Sequence, residues 1–122
     1  MRRFFALALL SAATMLAGDL TGVWVGTLTH NTPEGPRPSP AYAILKQNGT
    51  ELTGSGGPTE DEQYTIRKAV MSGDKLTFEV DNDNGPLKFT VTAKGDTIEG
   101  DLVQERSDGS TRTAKVALKR KQ

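Results

Sequence analysis

The sequence predicts an all-β domain, an eight-stranded antiparallel up-and-down β-barrel after an N-terminal signal peptide. Three observations lead there. Apolar and polar residues alternate in eight short runs between Leu20 and Lys121, the period of two that a strand imposes. Turn formers such as Asn48-Gly49, Gly73-Asp74 and Gly95-Asp96 separate the runs. No segment carries a convincing helical period. A meander of eight strands removes its open edges best by closing on itself. Its interior is then just filled by side chains, or holds one small ligand.

Residues 1–17 are read as a signal peptide and 18–122 as the barrel domain. Met1-Arg2-Arg3 is a basic start, Phe4 to Leu10 is almost wholly apolar, and small and apolar residues follow to Ala17. The apolar run is shorter than the ~20 residues of a spanning helix, so no stable membrane span is expected after cleavage. Cleavage is placed after Ala17, with Ala13 as the alternative. The expected location is secreted or periplasmic. Cysteine is absent, which excludes both a disulfide and a lipid-modified cysteine at the cleavage site, although export leads to an oxidising compartment.

Strand one runs from about Leu20 to His30. Trp24, Gly26, Leu28 and His30 share one face, and Trp24 and Leu28 are assigned inward. Asn31 to Pro40 holds four prolines and a glycine and is expected to be irregular, either a lid over the barrel mouth or a slack connection. Strand two, Ala41 to Gln47, turns Ala41, Ala43 and Leu45 inward. Asn48-Gly49 predicts a type I′ hairpin turn. Strand three, Glu51 to Gly56, aligns Leu52, Gly54 and Gly56. Strand four, Tyr64 to Met71, is expected to bury Ile66 and Val70. Strand five, Lys75 to Asp81, alternates most clearly, with Leu76, Phe78 and Val80 inward. Strand six offers Leu87, Phe89, Val91 and Ala93; strand seven, Ile98, Gly100 and Leu102; strand eight, Ala114, Val116 and Leu118, with Arg120 in phase. Phrases 48–54, 73–78 and 95–100 read as one local solution used three times: a turn, a polar residue, then an inward apolar residue.

Removing Arg2 and Arg3 leaves 13 basic against 15 acidic residues, a net charge of −2. That argues against nucleic acid as a partner. Glu60-Asp61-Glu62 lacks the spaced ligands of a calcium loop and reads as solvated charge. Asp81 to Gly85 opens like an EF-hand loop, but counted from Asp81 glycine falls fifth and Thr92 twelfth, so the match fails. Neither metal nor cofactor is expected. His30 is the single histidine, and no Gly-x-Ser-x-Gly elbow exists. The chain is therefore expected not to be an enzyme.

Gly22-Val23-Trp24 at the head of an eight-strand meander resembles the Gly-x-Trp opening of the calycin superfamily, the lipocalins and avidins. The wider pattern, with Leu-Lys-Gln-Asn-Gly, Leu-Thr-Gly and Gly-Asp-Thr-Ile-Glu-Gly, is similar to small exported bacterial β-barrel domains. The calycin resemblance implies that a basic residue of the last strand packs over the tryptophan, here Arg120, with Lys119 as the alternative. The chain is shorter than a lipocalin and lacks the polar biotin-binding set of avidins, so no ligand is transferred.

Two functions are carried forward. One is a non-enzymatic binding domain for a small apolar or amphipathic ligand at the barrel mouth, with His30, Arg37 and Tyr42 as rim contacts. The alternative is a cell-envelope structural or protein-interaction module with a solid core. Outward Tyr42, Ile44, Val23 and Val25 would then form its apolar patch, and an envelope protein would be the partner. Trp24 is read as a plug at the closed end of the barrel, which pushes a ligand toward His30.

Overall fold

The computed structural model describes residues 19–82 and 85–121, and these form a closed eight-stranded antiparallel barrel. Its strands are β1 (Gly22–Thr32), β2 (Gly35–Asn48), β3 (Glu51–Gly57), β4 (Tyr64–Ser72), β5 (Lys75–Asn82), β6 (Gly85–Lys94), β7 (Thr97–Glu105) and β8 (Thr111–Arg120). Each pairs with its neighbour in sequence, and β8 returns to β1 with Trp24 opposite Arg120 and His30 opposite Ala114. The expected leader lies outside the described residues, as do residues 83 and 84 of the turn that begins like a calcium loop.

The alternation that names the strands also fills the barrel. Trp24, Leu45, Leu52, Ile66, Leu76, Val80, Val91, Ile98, Leu102, Val116 and Leu118 are all buried in one core. Up-and-down order gives the barrel two distinct ends. The connections β2–β3, β4–β5 and β6–β7 lie at one end, with the start of β1 and the end of β8. The other four connections lie at the opposite end.

The β2–β3, β4–β5 and β6–β7 turns share one pattern. Asn48 pairs with Glu51, Ser72 with Lys75 and Lys94 with Thr97, so the two-residue loops are Gly49-Thr50, Gly73-Asp74 and Gly95-Asp96. Each glycine has φ near +60°, at 63°, 64° and 58°, while the residue after it does not have positive φ. Glycine first with positive φ is the type II′ pattern, not the type I′ turn expected at Asn48-Gly49. Leu52, Leu76 and Ile98 stand at the same place after each turn, all buried. The thrice-used phrase thus builds three sides of the closed end.

Asn31 to Pro40 is not an irregular lid. β1 and β2 pair continuously from Gly22↔Leu45 to Thr32↔Gly35, and only Pro33-Glu34 turns the chain. The prolines fit because of where β3 ends. β2 pairs with β3 from Tyr42 onward, so residues 35–41 have one neighbour, β1. Pro36, Pro38 and Pro40 share one phase, and without N–H groups they occupy the positions whose donors would face the unpaired side. A run that would break a central strand here blunts a free edge against further pairing.

Val70 is 60% exposed, not buried as expected. The cause is a one-residue bulge in β4. Arg67 pairs with Glu79 but Val70 with Thr77, and Lys68 between them has φ of 55°. An extra residue reverses the side-chain phase. Ala69 and Met71 therefore face the core, while Val70 faces solvent. No glycine or proline marks this site in the sequence, so alternation alone carried the wrong phase past Arg67.

Candidate functional site: a capped barrel with an open apolar cavity

The two ends differ in chemistry. The closed end is built on Trp24, which has no exposed surface. Its indole Nε1 donates to the Leu20 carbonyl at 2.9 Å, satisfying the one polar group that burial would orphan. The Arg120 guanidinium lies over the ring, 4.5 Å from its centre. The same guanidinium donates to the Thr21 carbonyl at 2.8 Å, the Asp19 carbonyl at 3.0 Å and the Asp96 carboxylate at 2.9 Å. One side chain of β8 thus holds the segment before β1 across the end of the barrel. Leu20 is buried beneath it.

The opposite half is not filled. A cavity of about 270 Å³ lies among Leu28, Ala41, Ala43, Gly56, Ile66, Phe78, Phe89 and Leu102, with His30, Ser39, Glu62, Tyr64, Gln104 and Arg112 also along its wall. Its origin is legible in side-chain volume. β2 and β3 place Ala41, Ala43 and Gly56 inward here, Ala43 directly opposite Gly56. These residues cannot reach the far wall. A Cβ added at Gly56 would meet no atom within 4 Å. β5 and β6, four strands around from β1 and β2, carry Phe78 and Phe89. Paired in register, these rings stack at 4.6 Å with 10° between planes.

Not every inward glycine faces space. A Cβ at Gly26 would fall on the Ala117 carbonyl oxygen of β8. That glycine lets two backbones approach where β1 and β8 close the barrel.

The mouth is polar and asymmetric. His30 lies near the end of the inward face of β1 and shares a 3.0 Å hydrogen bond through Nε2 with Ser39 Oγ. Burial first, and then the positive Arg112 guanidinium, hold the His30 imidazole below its usual pKa. Gln104, 4% exposed, donates from Nε2 to the Gly85 carbonyl at 3.1 Å. On the β3–β4 side, the Tyr64 hydroxyl donates to the Glu62 carboxylate at 2.8 Å. Gln63 ties that connection to β2 and β3, donating to the Tyr42 carbonyl at 3.0 Å and accepting from Ser55 at 2.6 Å. The β3–β4 ladder itself has only the pairs Ser55↔Thr65 and Gly56↔Tyr64.

Among the three residues named from the sequence as rim contacts, His30 lines the cavity and Arg37 stands directly opposite it on β2. Arg37 borders an adjoining rim cleft with Thr32, Pro38 and Arg112. Tyr42 borders the cavity, but its position opposite Val25 puts its side chain in the outward phase. There the Lys121 ammonium lies 5.7 Å from the ring centre. Arg112, Gly56, Phe78 and Phe89 were not singled out as site residues. Arg112 could have been, since it shares the phase of Ala114, Val116 and Leu118. The void beside Gly56 depends on volumes summed across the barrel, which no single strand displays.

Among the described residues no cluster of His, Cys, Asp or Glu could hold a metal ion. Comparison with known protein families, characterised proteins and solved structures finds no match.

Proposed function

We propose that this chain is an exported, non-enzymatic binding domain of calycin-like type. It would take one small apolar or amphipathic molecule into the open half of the barrel. The observation that carries this is the cavity of about 270 Å³ between the Ala41–Ala43–Gly56 wall and the Phe78–Phe89 pair. An apolar void of 150 Å³ accommodates benzene, so this one suits a body of roughly ten non-hydrogen atoms. The polar mouth leaves room for a head group in contact with water. The Trp24–Arg120 arrangement supports the calycin likeness, and the basic and apolar residues of 1–17, read as a leader, support export. The interaction-module alternative has less behind it. Of Val23, Val25, Tyr42 and Ile44, only Ile44 is substantially exposed, at 39%.

The test is a titration with octan-1-ol followed by NMR. Binding in the cavity shifts the methyl signals of Ala41, Ala43 and Ile66 and leaves those of exposed Val70 and Val103 unmoved. Absence of saturable shifts at the interior methyls up to the solubility limit would overturn the proposal.

A further inference from the structure

The rim carries a charge pattern that narrows the ligand class, and this step rests on the binding function just proposed. His30 is flanked on both sides by arginine. Arg37 is its register partner on β2. On β8 its partner is Ala114, and Arg112, two residues nearer the rim, shares that face. Three nitrogen-bearing side chains on adjacent strands β2, β1 and β8 therefore stand together at one side of the mouth. They border one cleft with Thr32, Pro38 and Ser39, and Arg112 and His30 also line the cavity itself.

Neither arginine is matched by a carboxylate. Among the described residues ion pairs within 4 Å engage Arg67, Lys68, Lys115 and Arg120, and Arg37 and Arg112 are among the cations that form none. Of the acidic run Glu60–Glu62, only Glu62 reaches the cavity wall, on the β3–β4 side, where Tyr64 donates to it. A cationic side beside an apolar chamber is complementary to a molecule with one anionic end and one apolar body. We infer that the ligand is a small monocarboxylate, its carboxylate received by Arg112 and Arg37 beside His30 and its apolar body lying in the chamber against Phe78 and Phe89. A planar guanidinium gives a carboxylate two parallel donors, which a hydroxyl head cannot use.

The experiment compares octanoate with octan-1-ol by calorimetry, on the wild-type chain and on the Arg37→Gln, Arg112→Gln double variant. Both arginines are exposed, so the variant should keep the wild-type melting midpoint. Octanoate is expected to bind about tenfold tighter than octanol to the wild type, the size of one charge-assisted interaction at a wet rim. That preference should fall below about threefold in the variant, chiefly through lost octanoate affinity. Equal wild-type affinities for the two probes would overturn the carboxylate assignment and leave the cavity function standing. A preference for octanoate that survives in the variant would overturn the assignment to these arginines. Failure of both probes to bind would overturn the binding function itself.

Discussion

Arg120→Met tests whether the closed end is held by the guanidinium or only by apolar packing. Methionine preserves aliphatic cover over the indole and removes the charge and the donors. The wild-type guanidinium sits 4.5 Å from the Trp24 ring centre, worth ~0.5–2 kcal/mol. Its two bonds to the Thr21 and Asp19 carbonyls are charge-assisted. Those carbonyls can be rehydrated when the side chain is cut back, so each bond falls near the low end, about 1 kcal/mol. The Asp96 carboxylate is 67% exposed, and that ion pair adds at most about 0.5 kcal/mol. The total is about 2.5–4.5 kcal/mol. For a domain of this size, that lowers the melting midpoint by roughly 10–20 °C. Urea unfolding followed by far-UV circular dichroism measures it, with the slope m expected to be unchanged. A loss below about 0.5 kcal/mol would show that Arg120 merely rests on a cap held by Leu20 and Trp24.

Three further outcomes follow from particular positions. Gly26→Ala should cost more than about 2 kcal/mol in the same unfolding assay, because its Cβ would fall on the Ala117 carbonyl oxygen at the closing seam. Lys68→Gly should stabilise by about 0.5–1 kcal/mol, since Lys68 adopts φ of 55° in an exposed bulge where glycine has no steric penalty. The His30 imidazole has a lower pKa folded than unfolded, so the unfolded chain binds more protons through that window. Stability should therefore be complete above the unfolded value of about 6.5 and decline as pH falls from there through the folded value. In His30→Gln that segment of the stability–pH curve should be flat.

The architecture was legible because one signal, the period of two, recurs in every strand and survives local exceptions. The inward sets of β1, β3, β5, β6, β7 and β8 follow from it directly. It failed where a physical cause interrupts the register without a sequence marker, as at Lys68, which reverses Val70. It also failed where composition pointed to a loop. Pro36, Pro38 and Pro40 are incompatible with a central strand, yet their shared phase suits an edge, and whether a strand is an edge is decided by its neighbour. The candidate site was half visible. His30 was placed at the mouth as the end of strand one, Arg37 only as part of the loop expected beside it, and Tyr42 was named although its phase turns it outward. The cavity could not be read in advance. It arises because Ala41, Ala43 and Gly56 from two strands face Phe78 and Phe89 from two others, and the remaining volume is a property of all of them together.

Gly56→Leu places an apolar side chain directly into that volume, where a Cβ has no neighbour within 4 Å and φ needs no glycine. The measurement is octan-1-ol affinity and melting midpoint on the same samples. A true cavity should accept the four added carbons. Stability should rise by about 1–2 kcal/mol from buried apolar area and a less flexible unfolded chain, while octanol binding falls at least tenfold. A leucine that destabilises the barrel while octanol still binds with wild-type affinity would contradict a ligand chamber at this place.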